Sequence, residues 1–137
     1  MRFADTNVLL YAVSREQAER EKAKRANEIL DSRDVAISMQ VLQEFYVQAT
    51  RASRRAPLSH EIAVALIDTF LAFPIQDVTT ELVLAALETK RRFGVSYWDA
   101  TILEASRALG CEVVLSEDLA DETDYGGVRV ENPFRGL

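Results

Sequence analysis

The sequence predicts a three-layer α/β/α fold, in which helices cover both faces of a central parallel sheet of four to five short strands. Two patterns support this prediction. Short apolar runs of the kind that form buried strands alternate with longer segments whose apolar residues recur at helical spacing. Strands that alternate with helices are joined by parallel crossovers, and these crossovers place the helices on the faces of the sheet.

Five short runs are strand candidates. The run at 113–115 is continuously apolar, which is typical of a strand buried on both faces, and the last run follows the turn-forming pair Gly126-Gly127. The candidates cover residues 1–4, 35–38, 75–78, 113–115 and 128–130.

Helix candidates lie between these runs and have recognisable ends. The segment 5–7 (DTN) is suited to leaving the first strand and starting a helix, and Ser59 and Thr80 are predicted N-caps. Gly94 and Gly110 are predicted to terminate two later helices. Helical spacing of apolar residues covers 16–30, 40 to about 51, 59–73, 80–93 and 96–109.

Size and composition predict a single globular domain over residues 1–137. Hydrophobic residues make up 48% of the chain and charged residues 28%, which is too apolar for a disordered protein. The single cysteine, Cys111, cannot form an internal disulfide. With only one histidine, His60, the chain also lacks a cysteine and histidine set for zinc, so any metal must be held by oxygen.

No segment predicts secretion or membrane insertion. Arg2 and Asp5 interrupt the N-terminal apolar stretch too early for a signal peptide. The longest apolar run, 63–73, contains Asp68 and is far shorter than the roughly 18 residues of a membrane helix. A cytoplasmic location is therefore expected.

The net charge is unusual for a protein that binds nucleic acid through electrostatic attraction. The chain has 16 basic and 22 acidic residues, a formal net charge of −6. A nuclease is not excluded, because enzymes that hold magnesium concentrate carboxylates and the bound cations reverse the local field.

Four acids are predicted to meet at one edge of the sheet. Asp5 and Asp118 each follow a predicted strand, and the carboxyl ends of parallel strands border the functional crevice of such sheets. Asp99 lies in the first turn of a predicted helix, and Glu44 lies about one turn into another. Clustered carboxylates repel one another unless cations neutralise them. Mg²⁺ or Mn²⁺ would supply that charge and would promote attack of water on a phosphodiester.

Each acid also has a structural interpretation when it is considered alone. Asp5 could cap a helix. Asp99 could interact favourably with the helix dipole or form part of a capping box. Glu44 could be a solvated helix residue. Asp118 could be a turn residue, and its neighbour Glu117 competes with it for the same role.

Four segments resemble, in chain order and approximate spacing, the four motifs of PIN-domain nucleases. They are residues 5–11 (DTNVLLY), 43–45 (QEF), 97–100 (YWDA) and 115–119 (LSEDL). The closing segment 126–134 (GGVRVENPF) resembles the tail of VapC-type toxins, so the resemblance covers essentially the whole chain.

The resemblance implies a PIN-like endoribonuclease that uses Mg²⁺ or Mn²⁺ and is the toxin of a type II toxin-antitoxin pair. It also implies a homodimer and a cognate antitoxin that covers the active site. The metal ligands and catalytic residues would be Asp5, Glu44, Asp99 and Asp118, and Asn7 and Ser116 would be supporting polar residues. Where relatives often have a His-Gly pair after the fourth motif, this chain has residues 120–123 (ADET). Asp121 is therefore a candidate for a further ligand or for a residue that alters substrate choice.

Other features permit both functional and structural interpretations. The basic segments around Arg54 and Arg91 could contact RNA phosphates, but cations at helix ends are also favoured by the helix dipole. Tyr97 and Trp98 could stack on unpaired bases, although anchoring of the helix in the core is the expected role.

Three other functions remain as alternatives. A housekeeping RNA-processing PIN nuclease and a catalytically silent PIN-like binding module both fit the same motifs. A phosphoacceptor signalling domain also has an acidic magnesium pocket, but it needs a basic partner near the last strands. The final lysine of the chain is Lys90, which disfavours the signalling domain.

Overall fold

The structure, a computed structural model, describes residues 1–137 and contains six strands and six helices. The strands are β1 (Arg2–Ala4), β2 (Val35–Ser38), β3 (Ile75–Gln76), β4 (Val113–Leu115), β5 (Asp124–Tyr125) and β6 (Val128–Glu131). The helices are α1 (Thr6–Ala12), α2 (Arg20–Asp31), α3 (Met39–Thr50), α4 (His60–Phe70), α5 (Thr80–Phe93) and α6 (Tyr97–Ala108). A single 3₁₀ turn, Gln17–Glu19, precedes α2.

The sheet has the order β3-β2-β1-β4-β6-β5. Every neighbouring pair is parallel except β5 and β6, which form an antiparallel hairpin. The predicted α/β class is therefore confirmed, but the sheet has six strands and not four to five. The sequence prediction missed β5 because it is only two residues long and because Asp124 gives it no apolar pattern.

The direction of the crossovers places the helices on two faces. From β1 to β2 to β3 the chain moves one way across the sheet, through α1 to α4. It then returns across the sheet to β4 through α5 and α6. Parallel crossovers are almost always right-handed, so a reversal of direction puts the connecting helices on the opposite face. This reversal produces the three layers.

Capping residues set the ends of several helices. The side chains of Ser38, Ser59 and Ser96 each accept a hydrogen bond from a backbone N–H in the first turn of the helix that follows. For α5 the cap is Thr79, one residue before the predicted Thr80. Gly94 ends α5 in the left-handed conformation, with φ of +69°, as predicted.

The core surrounds the central strands. Phe3, Ile37 and Val114, on β1, β2 and β4, have no exposed surface, because helices cover both faces of these strands. None of the six helices combines the length and apolar character that a membrane crossing requires.

Strand order reverses between β1 and β4. The chain leaves β1 toward β2 on one side, whereas β4 adds to the sheet on the other side of β1. In an open parallel sheet, a crevice forms beyond the carboxyl ends of two strands related in this way. Asp5 follows β1 directly and Ser116 follows β4 directly, so both residues lie at this crevice.

Candidate metal centre

Asp5 lies at the junction of β1 and α1, with 7% of its surface exposed. Its backbone N–H donates to the carbonyl of Leu115 at 3.0 Å, which joins the ends of β1 and β4. Its carboxylate accepts hydrogen bonds from the Thr6 backbone N–H at 2.8 Å and from the Ser116 hydroxyl at 2.7 Å. Asp5 therefore caps α1 and also presents its carboxylate to the crevice.

Ser116 and Asn7 connect Asp5 to the loop that follows β4. The Ser116 hydroxyl, which is fully buried, accepts hydrogen bonds from the backbone N–H groups of Asp118 and Leu119 at 3.1 and 3.3 Å. The Asn7 amide nitrogen donates to this hydroxyl at 3.3 Å and to the Asp118 carboxylate at 3.2 Å. These contacts fix the position of Asp118 relative to Asp5.

Glu44 approaches from α3. Its carboxylate accepts a hydrogen bond from the Thr6 hydroxyl at 2.8 Å and another from the Gln40 amide at 3.0 Å. Gln40 lies one turn earlier on the same helix, and its amide oxygen accepts a hydrogen bond from Thr101 on α6. A polar chain therefore links the helix layers across the end of the sheet.

Asp99 approaches from α6, on the opposite face of the sheet from α3. Its backbone N–H donates to the Ser96 hydroxyl at 3.0 Å, which places Asp99 in the first turn of the helix. Ser96 thus caps α6, and this cap is compatible with the position of Asp99 in the cleft.

One small cleft, of about 120 Å³, brings the four acids together. Its lining contains no lysine or arginine, and only three of its residues are apolar. The lining consists of Asp5, Thr6, Asn7, Leu10, Gln40, Glu44, Gln48, Trp98, Asp99, Ile102 and Asp118. The acids therefore face one another without a basic side chain to balance their charge.

The pKa values of two of these acids reflect their burial and, to a smaller extent, that imbalance. Burial raises the pKa of Asp5 to about 6, and repulsion from Asp118 and Glu44 adds to the rise. Burial also raises the pKa of Asp99, with the same two carboxylates contributing. Each of the two acids therefore binds a proton more readily than an exposed aspartate does, as expected for anions that lack a counterion.

The donor chemistry of the cleft fits a hard divalent cation. Carboxylate, amide and hydroxyl oxygens are the ligands that Mg²⁺ and Mn²⁺ prefer. Nowhere in the chain do three or more aspartate, glutamate, histidine or cysteine side chains lie close enough together to hold a single ion among them. Magnesium does not require such a cage, because one or two carboxylates usually bind it together with water and substrate phosphate.

The structure gives different roles to Asp118 and Glu117, which the sequence left as alternatives for the same role. The Glu117 carboxylate accepts hydrogen bonds from the Tyr11 hydroxyl at 2.8 Å and from the Lys22 amine at 3.0 Å. This ion pair raises the pKa of Lys22. Glu117 is not part of the cleft lining, whereas Asp118 is.

Asp121, the candidate for a further ligand, is not part of the cleft lining. Its carboxylate accepts a hydrogen bond from the Asn132 backbone N–H at 2.8 Å and forms an ion pair with Arg135. The hydrogen bond from Asn132 contributes most to lowering the Asp121 pKa. Asp121 thus anchors the C-terminal segment. Its carboxylate is directed to that segment and not to the cleft, so the structure offers no support for the predicted role as a further ligand.

Comparison with known proteins identifies the family. The PIN domain family model matches residues 2–120, which is most of the chain. The chain belongs to the PIN domain family. PIN domains are in general nucleases, and the acid cleft of this PIN domain is formed by the segments that carry the four motifs. No curated protein matches the chain at a significant level.

Solved structures confirm the fold of this PIN domain. A toxin-antitoxin complex from Klebsiella pneumoniae aligns with a TM-score of 0.71 at 18% identity, covering 98% of each chain. VapC20 from Mycobacterium tuberculosis, a toxin that cleaves the sarcin-ricin loop, aligns with a TM-score of 0.67 at 24% identity, covering 86% of this chain and 92% of VapC20. FitAcB from Neisseria gonorrhoeae aligns with a TM-score of 0.67 at 18% identity, covering 98% and 99%.

Sequence reasoning missed three polar residues of the PIN domain cleft. Thr6, Gln40 and Gln48 all contribute to its lining, and the first two hydrogen-bond directly to Glu44. A signal for them was present: Gln40, Glu44 and Gln48 recur every four residues, so they lie on one face of α3. The spacing alone did not indicate whether that face pointed to solvent or to the cleft.

Proposed function

We propose that this protein is a divalent-metal-dependent endoribonuclease that hydrolyses RNA phosphodiester bonds and is the toxin of a type II toxin-antitoxin pair. One observation supports the nuclease activity above all others. Four carboxylates, delivered by two strand ends and by helices on opposite faces of the sheet, line one cleft that contains no basic side chain. Such an arrangement is unfavourable in free energy unless cations bind in the cleft and neutralise the carboxylates.

Asp5, Glu44, Asp99 and Asp118 would hold Mg²⁺ or Mn²⁺, with one or two of these carboxylates binding an ion and water completing its coordination. The cation would supply the positive charge that lets a phosphodiester enter an acidic cleft, and it would stabilise the charge that develops on phosphate during attack by water. The sequence offers no histidine for general-base chemistry here, because His60 lies at the start of α4 and is not part of the cleft lining.

The surrounding residues act by orienting the acids. Ser116 and the Thr6 backbone N–H each use one carboxylate oxygen of Asp5, so the plane of that carboxylate is fixed. The Asn7 amide donates to one carboxylate oxygen of Asp118 and so helps to orient it. Fixed carboxylates need little rearrangement when a cation and a phosphate bind, and this preorganisation is a general source of catalytic power.

Positive charge that would contact an RNA backbone lies beyond the cleft and includes the arginine patch, which we define as Arg15, Arg54 and Arg55. The three residues line one small surface depression together with Glu16, and none of the three arginines forms an ion pair. Helices α1 and α3 pack together, begin near the cleft and end near this patch. Because α1 has seven residues, the patch lies on the order of 10 Å along the helix from Asp5.

The toxin role rests on the similar structures. One of them is a toxin-antitoxin complex, and another is a toxin that cleaves the sarcin-ricin loop. By analogy, we infer a cognate antitoxin and a homodimer for this protein. A housekeeping RNA-processing nuclease uses the same cleft, and it would differ in having no neighbouring antitoxin gene and in causing no growth arrest on expression.

The activity is tested with purified, partner-free protein. Single-stranded and structured RNA are incubated with Mg²⁺, with Mn²⁺ or with a chelator. The variants are Asp5→Asn and Asp99→Asn, and the control is Asp68→Asn, which alters an exposed acid on α4. We expect cleavage that requires a cation, is abolished in both cleft variants and is retained in the control.

Cleavage in a chelator, or equal cleavage by Asp5→Asn and the wild type, would contradict the proposed nuclease site. Circular dichroism of each variant checks that the fold is retained. The toxin role is tested separately by inducing the protein in cells with and without the product of the adjoining reading frame. Growth arrest that this product relieves supports the role, and normal growth during induction of an active enzyme argues for the housekeeping alternative.

A further inference from the structure

Trp98 is the only tryptophan of the chain, and 63% of its surface is exposed. It is the second residue of α6, directly before Asp99, and it is part of the lining of the acid cleft. The expectation that this aromatic residue anchors the helix in the core is therefore wrong. The helix is anchored by other residues of α6, such as Leu103, which is fully buried.

Local contacts hold Trp98 in this exposed position. The Tyr97 and Trp98 ring centroids lie 5.1 Å apart with 72° between the ring planes, a T-shaped contact. The Trp98 carbonyl accepts a hydrogen bond from the Thr101 hydroxyl at 2.6 Å, which fixes the first turn of α6. The indole is thus supported from within its own helix while much of its surface remains open to solvent.

We propose that Trp98 is the stacking platform for an unpaired RNA base next to the phosphate that is cleaved. This inference rests on the proposed function, because it assigns a substrate-binding residue to the same cleft. Aromatic side chains in single-strand binders stack on bases of any identity, since every base has a π-face. The requirement for an exposed base would restrict cleavage to single-stranded or looped RNA.

Chain geometry places this platform beside the acids. Trp98 and Asp99 both line the cleft, and because they are consecutive their Cα atoms are about 3.8 Å apart. A base stacked on Trp98 therefore carries its own sugar and phosphate toward the carboxylates of the cleft. The acids themselves repel RNA, so an uncharged contact that does not depend on attraction to phosphate is a suitable anchor at this point.

The surroundings of Trp98 favour a base over a protein partner. The other apolar residues of the cleft are Leu10, which is partly buried, and Ile102, which is 4% exposed. Apart from the Tyr97 ring that packs against it, Trp98 is the only aromatic side chain at the cleft, and most of the residues that line the cleft with it are acids, amides and Thr6. A protein interface needs a larger contiguous apolar area around such an aromatic residue, whereas a single base requires only one ring.

The single tryptophan makes the test direct, because its fluorescence reports on this position alone. The Asp5→Asn variant is titrated in Mg²⁺ with an unpaired oligoribonucleotide, with a duplex of the same sequence and with an abasic oligomer of the same length. We expect the unpaired oligomer to quench the fluorescence and the duplex and abasic oligomers to leave it nearly unchanged. Fluorescence anisotropy of labelled RNA measures binding independently.

Substitutions complete the test. In the same background, Trp98→Ala should weaken binding of the unpaired oligomer roughly five- to 150-fold, which corresponds to the usual worth of one stacked base, and Trp98→Phe should retain most of the affinity. Leu84→Ala is the matched control, since Leu84 is 62% exposed on α5 and is not part of the cleft lining. It should bind RNA as the parent does.

Three results would overturn the inference. RNA binding by anisotropy without any change in tryptophan fluorescence would remove Trp98 from the contact while leaving the proposed nuclease intact. Quenching by a cognate protein partner but not by RNA would assign Trp98 to a protein interface. If the wild type neither binds nor cleaves RNA, the proposed function fails and the inference fails with it.

Discussion

The Ser116 hydroxyl donates to the Asp5 carboxylate at 2.7 Å and thereby joins the ends of β4 and β1. The same buried hydroxyl accepts hydrogen bonds from Asn7 and from the backbone of Asp118 and Leu119. A single side chain thus holds two of the four acids in register across the point where strand order reverses.

We predict that Ser116→Ala impairs the cleft and also destabilises the fold. The substitution leaves buried donors without an acceptor, which costs about 1–3 kcal/mol. It should also weaken Mn²⁺ binding, measured by titration calorimetry, because Asp5 and Asp118 lose their common support. Ser106→Ala is the matched control: Ser106 is equally buried, but its hydroxyl donates to the Cys111 carbonyl, away from the cleft. An equal loss of Mn²⁺ affinity in both variants would show that the loss results from lower stability of the fold and not from the contacts of Ser116.

The raised pKa of Asp5 predicts how the stability of the metal-free protein depends on pH. The pKa is about 6 in the folded state and 3.8 without the influence of the fold. The folded state therefore binds the proton more tightly, and stability falls as the pH rises from about 4 to above 6. A difference of this size corresponds to about 3 kcal/mol at neutral pH.

Asp5→Asn should remove this loss of stability at high pH, because asparagine has no carboxylate to ionise. In a chelator at pH 8, chemical denaturation should show the variant to be more stable than the wild type by about 1–3 kcal/mol, reduced by the altered contact with Ser116. The difference should disappear near pH 4. Lower stability of Asp5→Asn at pH 8 would contradict the assignment of a buried, uncompensated charge to Asp5.

The two neighbouring acids after β4 are predicted to respond differently to substitution. Asp118→Asn should lower the rate of RNA cleavage by at least roughly 100-fold, the usual loss when a group that stabilises transition-state charge is removed. Glu117→Gln should retain most of the cleavage, because the Glu117 carboxylate is occupied by Tyr11 and Lys22. Cleavage rates under single-turnover conditions compare the two. If Glu117→Gln were as inactive as Asp118→Asn, the assignment of roles within this pair would be wrong.

The arginine patch predicts a change in the salt dependence of RNA binding. If Arg54 and Arg55 contact phosphates, the variant with alanine at both positions should lower the slope of log affinity against log salt by about 1.4 for single-stranded RNA. Arg91→Ala is the control, since Arg91 forms an ion pair with Glu88. Affinities measured by anisotropy at several salt concentrations give the slopes. An unchanged slope in the double variant would leave the patch without a role in RNA binding.

The alternation of apolar runs and helical spacing was sufficient to predict the α/β class and five of the six strands. These patterns are local. A strand buried on both faces and a helix buried on one face each have a characteristic spacing of apolar residues within a short segment. The hairpin strand β5 was not predictable in the same way, since its two residues gain their pairing only from β6. Similarly, Thr79 and not Thr80 caps α5, a difference of one residue that local pattern does not resolve.

The sequence alone determined which residue types could form an acid cleft, because oxygen ligands, strand ends and first helical turns are properties of short segments. It did not determine which way those side chains point. Asp121 and Glu117 carry carboxylates as Asp118 does, but Arg135 and Lys22 engage them. Trp98 is exposed although an aromatic residue at the start of a helix was expected to pack in the core. These outcomes depend on residues 14 to 95 positions apart in the chain, which only tertiary packing brings together.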